Sequence, residues 1–182
     1  MTSSSSLFPG AIDDGDEEEE EEESTSDFFI STFLHDFPVS SVWRVLSADE
    51  LLPYHGLQED FSFIINLSIQ SEPGTHFVVA ARRGDNIYYL DSLKLGFFLT
   101  DHIPQFLTSF KSHCTLHTLK YAVQHLDSWY CGFFATNFVY MLNPETAHLP
   151  YAIFKDTDLL ENDCLVINNL MLVLKHYWNK TP

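Results

Sequence analysis

Four residues in this chain have types and spacings suited to acyl transfer: His76, Asp91, Gln124 and Cys131. Cys131-Gly132 opens an apolar stretch that runs to Leu142 and reads as a buried helix, ended by Asn143-Pro144. A thiol at a helix N-terminus meets the positive end of the dipole. A neighbouring imidazolium acts the same way, so both favour the nucleophilic thiolate. Gly132 adds no Cβ and lets a substrate backbone approach. By residue type alone Cys131 fits a packed thiol equally well, since cysteine is among the most buried residues. Cys114 and Cys164 are read as packed thiols, Cys164 because it lies within an apolar helix.

The other three residues need elements to carry them. Phe77 to Ala81 and Ile87 to Leu90 read as strands joined by the turn-rich Arg82-Arg83-Gly84-Asp85-Asn86, a hairpin pattern. With the turn centred on Arg83-Gly84, His76 falls directly opposite Asp91, and opposed residues share a sheet face. A carboxylate there accepts from one imidazole nitrogen and turns the other towards a nucleophile. A structural histidine at a strand end fits the same residue. Gln124 lies seven residues before Cys131, where its amide can donate to an oxyanion beside the Cys131 N–H. Its plainer reading is an exposed polar residue at the end of a strand over Leu116 to Val123.

Around these lie further elements. Phe28 to Phe37 has helical spacing stopped by Pro38, and Ser47 to Leu52 reads as a helical turn ended by Pro53. Phe61 to Leu67 suits a buried strand. Ile103, Phe106, Leu107 and Phe110 make one face of a helix begun by Asp101. A last helix spans about Asn162 to Trp178. Strands and helices mix without regular alternation, which predicts an α+β fold.

Composition bounds the partners. The 182 residues are 45% hydrophobic with 16 Phe, enough for one cored domain over residues 27–182. Residues 1–26 hold ten acids and no base, and are read as a disordered acidic tail. A solvated tail is its plain role; a docking or phosphorylatable arm at Ser24 and Ser26 is the sharper one. The rest carries 16 acids against 9 bases, with Arg82-Arg83 the only adjacent basic pair. That argues against nucleic acid as a partner. No apolar stretch has the ~20 residues needed to span a membrane, and no secretory signal is visible. Three cysteines, few and odd in number, suit a reducing, intracellular compartment better than a disulfide framework. His113, Cys114 and His117 would not converge from a strand, so no metal or other cofactor is expected.

Chain order and local setting together carry a resemblance. Phe63-Ile64-Ile65-Asn66, then Pro73-Gly74-Thr75-His76, then Tyr88-Tyr89-Leu90-Asp91-Ser92 lead to the pattern Gln-x3-Ser-x2-Cys-Gly at Gln124, Ser128, Cys131 and Gly132. This resembles the adenain-type cysteine proteases of adenoviruses and Maverick/Polinton elements, in the clan that includes the ubiquitin-like-protein-specific proteases. Phe37 to Pro53 is similar to the lead-in segment of that family, and the likeness covers roughly residues 30–180. It implies a papain-like, adenain-like fold: a central mixed sheet flanked by helices, with the nucleophile at the N-terminus of a buried helix. It implies His76, Asp91, Gln124 and Cys131 as catalytic residues, and Asn66, Phe77, Ser128 and Gly132 on the substrate side.

There are departures. Phe77 stands where the family has Trp, and the bulky Trp129-Tyr130 pair predicts a narrower pocket beside the oxyanion hole. Asp91 matches the ubiquitin-like proteases, whereas adenoviral members have Glu. Cys114 lies one position from the place of a cysteine that binds the adenoviral peptide activator, so such an activator is retained as a partner. The DNA cofactor is not, given the acidic surface. The implied function is a cysteine endopeptidase that cuts viral or element-encoded structural precursors after small, Gly-type residues. The alternatives are a deconjugating protease for ubiquitin-like modifiers and an inactive relative that binds proteins through the same cleft.

Overall fold

The computed structural model describes Ile30, His35 and residues 42–70, 75–96, 100–144, 154–155 and 157–178. The acidic tail and the Pro73-Gly74 pair lie outside these residues, as does most of Phe28 to Phe37, where Ile30 and His35 are helical. Five strands form one sheet in chain order: β1 (Val42–Ser47), β2 (Phe61–Asn66), β3 (Phe77–Arg83), β4 (Asn86–Leu90) and β5 (Thr115–Thr118). The pairings β1–β2 and β4–β5 are parallel, while β2–β3 and β3–β4 are antiparallel. The protein is therefore mixed α+β.

Alternation along β2 explains why the sheet is covered on both faces. Phe61, Phe63 and Ile65 point to one side and Ile64 to the other, and all are buried. The first side packs on a 3-10 helix (Ala48–Tyr54) and on α1 (His102–Thr108), through Leu51, Ile103, Phe106, Leu107 and Phe110. The predicted apolar face of α1 is thus the one it buries. Ser47 and Glu50 close a capping box on the 3-10 helix. Pro53 sits inside that helix instead of ending it. The second side packs on α2 (Cys131–Leu142) and α3 (Leu159–Trp178), through Phe134, Phe138, Val139, Val166 and Leu170.

Five features differ from the sequence reading. The hairpin turns on Gly84-Asp85, since Arg83 pairs with Asn86 and Val79 with Leu90. Gly84 has φ 56°, the positive value that a two-residue hairpin loop needs at its first central position. The paired numbers then sum to 169 instead of 167. β1 was not anticipated: it pairs in parallel with β2 across a long connection, so no hairpin signal marks it. β5 is only four residues long and exposed throughout, so Gln124 lies well beyond its end. α3 begins at Leu159 because the Asp158 carboxylate accepts the Glu161 N–H at 2.9 Å and caps it. Cys164 is exposed, not packed: α3 turns Asn162, Asp163 and Asn169 inward and leaves Leu160, Met171 and Leu172 outward.

Candidate active site

β3 and β4 deliver the first pair. His76 precedes β3 and Asp91 follows β4; they are 3% and 4% exposed. The observed register, carried one step past Leu90, sets Asp91 beside Val78, so His76 is its diagonal neighbour and not directly opposed. Diagonal neighbours remain within reach of long side chains. His76 Nε2 lies 2.8 Å from Asp91 Oδ1. The carboxylate also accepts the Leu93 N–H at 3.1 Å, and its backbone carbonyl accepts the Lys94 N–H at 3.1 Å. Lys94 adopts φ 55° to close this turn, a left-handed conformation that costs a non-glycine residue some strain.

Asn66 holds the approach to His76. Its Oδ1 accepts the N–H groups of Ser68 at 3.1 Å and Thr75 at 3.4 Å, while Leu67 N–H donates to the His76 carbonyl at 2.9 Å. The buried Oδ1 is thus occupied in bracing the approach to His76.

The nucleophile candidate sits where the sequence puts it. Cys131 is the first residue of α2, half-buried, after the N-cap Tyr130. Burial alone pulls the His76 imidazole down. Hydrogen bonding to Asp91 and then to Cys131, with the charges of both, outweighs burial and pushes it up to about 9. The other ring nitrogen, Nδ1, is buried and makes no hydrogen bond to another described residue. Histidine and acid are therefore joined directly, and Cys131 lies near enough to act on the histidine.

Gln124 is 1% exposed, so the exposed-residue reading fails. Its Oε1 accepts the Ser92 hydroxyl at 2.6 Å and its Nε2 donates to Ser128 O at 2.8 Å. An amide nitrogen carries two protons, so one remains free for an oxyanion. Ser128 contributes that carbonyl, and its own hydroxyl donates to His125 O at 3.0 Å. Gly132 is buried, and its carbonyl accepts the Thr136 hydroxyl at 2.8 Å. Phe77 is buried in the core with Phe134 and Val139 instead of walling an open pocket. Trp129 is 66% exposed, and Tyr130, also exposed, leans edge-on to Phe133 at 5.9 Å. Both side chains lie at the surface and not in the core. A cleft of about 190 Å³ lined by Tyr89, Asp91, Lys94, Gly96, Thr118 and Leu119 opens beside the acid.

Three contributors went unrecognised in the sequence. Ser92 grips Gln124, Asn162 Nδ2 donates to Val123 O at 2.8 Å, and Asp163 Oδ1 accepts the His125 N–H at 3.3 Å. Burial pushes the Asp163 carboxyl up, opposed by its bonds to Ser128 and His125. Ser92 carried a signal, adjacency to the acid. Asn162 and Asp163 carried none, being more than thirty residues from the loop they hold. His113 and His117 bond Ser112 at 3.0 Å and Asn86 at 2.8 Å respectively. Among the described residues no helix is long and apolar enough to cross a membrane. No protein-family model matches the chain, and no curated protein matches it in sequence.

Proposed function

We propose that this protein is a cysteine-type endopeptidase with an adenain-like, papain-like fold, acting through Cys131. One observation carries the reading: the buried His76 joins Asp91 at 2.8 Å, and Cys131 is among the groups that push it up to about 9. A histidine held protonated beside a helix-terminal thiol is the pairing that activates a thiolate.

In the reaction the Cys131 sulfur forms a bond to the scissile carbonyl carbon. The oxyanion takes hydrogen bonds from the Cys131 N–H and Gln124 Nε2. His76 gives its proton to the leaving amine as the C–N bond breaks, and a thioester remains. Water, deprotonated by His76, attacks the thioester and frees the Cys131 sulfur. Asp91 keeps the ring oriented and offsets its charge throughout. The family resemblance extends the proposal to substrates: structural precursors of a virus or virus-like element, cut after small residues.

A peptidyl electrophile tests this. Cys131 should label far faster than Cys114 or Cys164, and His76→Ala should abolish the difference. Equal labelling of the three thiols, or labelling that survives His76→Ala, would sink the proposal.

A further inference from the structure

We infer that Ser92 is a positioning residue for the oxyanion donor, holding the Gln124 amide in its working orientation; this rests on the protease reading above. Ser92 O accepts the N–H groups of Val123 at 2.8 Å and Gln124 at 3.1 Å, while the Ser92 hydroxyl donates to Gln124 Oε1 at 2.6 Å. Main chain and side chain of one serine therefore hold the same glutamine. Both residues are 1% exposed, so bulk water does not compete for these bonds.

The orientation follows from donor and acceptor types. Ser128 O, 2.8 Å from the amide, can only accept, so the atom facing it is Nε2. That leaves Oε1 facing Ser92, whose hydroxyl must be the donor. Without the hydroxyl, Oε1 becomes a buried acceptor with no donor, a state folded proteins avoid. The amide then leaves this orientation, and its second N–H leaves the place where an oxyanion forms. Ser92 also follows Asp91 directly, so the acid and the residue that holds the oxyanion donor share one segment.

The test uses the full chain and two reagents. An N-acyl-glycine p-nitrophenyl ester acylates Cys131 through an oxyanion: the S–C bond forms and p-nitrophenolate leaves. Iodoacetamide alkylates the thiolate with no oxyanion at all, and so reports whether the Cys131–His76 pair survives. Ser92→Ala should slow acylation by about 10- to 100-fold, below the ~10²- to 10³-fold ceiling for a lost oxyanion donor. Its alkylation should stay within about twofold of the parent, because no oxyanion donor enters that reaction. The double variant Ser92→Ala/Gln124→Ala should acylate no more slowly than Gln124→Ala, since one residue acts through the other. Parent-like acylation in Ser92→Ala, a double variant that falls by the product of the singles, or alkylation that falls with acylation would each overturn the inference. A parent chain with no acylation burst and no preferential alkylation of Cys131 is a separate result, which removes the protease reading and this role with it.

Discussion

Under α1, one face of the sheet closes over rings: Phe61 stacks on Phe63 with centroids 4.4 Å apart, and Phe106 meets Phe110 edge-on at 5.1 Å. Under α2 and α3 the opposite face also buries rings, Phe134 and Phe138 among them, but sets amides between them. Asn169 Nδ2 donates to Asn137 Oδ1 at 2.7 Å and joins the two helices, and Asn162 reaches Val123 at 2.8 Å. Ring packing is tolerant of direction, whereas buried hydrogen bonds are not. The face on which Cys131 and the Gln124 segment pack is the one where buried side-chain amides bond across elements. On the protease proposal the two faces divide stability from alignment, and each half of that division can be tested.

The largest expected effect lies on the ring face. Phe106→Ala should cost about 3–5 kcal/mol of stability, because it leaves a cavity among close-packed rings. Turnover per folded molecule should hold near the parent value. Denaturant melts paired with active-site-titrated rates check this, and a matching loss of turnover would break the comparison. Next comes Gln124→Ala, which should lower kcat by ~10²- to 10³-fold with little change in KM, since the lost bond exists only in the transition state. A rise in KM at constant kcat would instead mark Gln124 as a ground-state binding residue.

The His76–Asp91 pair joins the two properties. His76 lies at about 9 in the folded chain against an ordinary 6.5, so the folded state holds its proton more tightly. The resulting stability, on the order of 3 kcal/mol, is whole below about pH 6.5 and is lost as pH rises through 9. The thermal-melt gap between the parent and Asp91→Asn should therefore narrow from pH 6.5 to 9.5. The alkaline limb of Cys131 alkylation should lie near 9 in the parent and move down in Asp91→Asn. A limb that stays put would detach Asp91 from the proton balance. The smallest effect is on the amide face away from the chemistry. Asn169→Ala strands the Asn137 carbonyl oxygen and should cost about 1–3 kcal/mol, read by melting.

What was legible in the sequence is what local patterns encode. The span of α2, the buried face of α1 and the α+β class follow from apolar spacing and breakers within short windows. So does the placing of Cys131 at a helix N-terminus. Contacts across the chain were legible only in outline. The hairpin brought His76 near Asp91, but its register depended on which residue took the positive φ, and Gly84 took the first central position, not the second. β1 and the short β5 pair in parallel, a contact that no adjacent turn announces.

By itself, then, the sequence determined that a thiol opens a buried helix and that a histidine and an acid flank a hairpin. Side-chain type and local spacing suffice for that. Only the tertiary structure decided how the remaining polar groups are used. It buried Gln124 instead of exposing it, spent Asn66 on the loop before His76, exposed Cys164, and recruited Ser92, Asn162 and Asp163 to hold the segment that carries Gln124. The reason is that a buried polar group must find its partner wherever the fold brings one, and that partner is set by packing, not by neighbours in sequence.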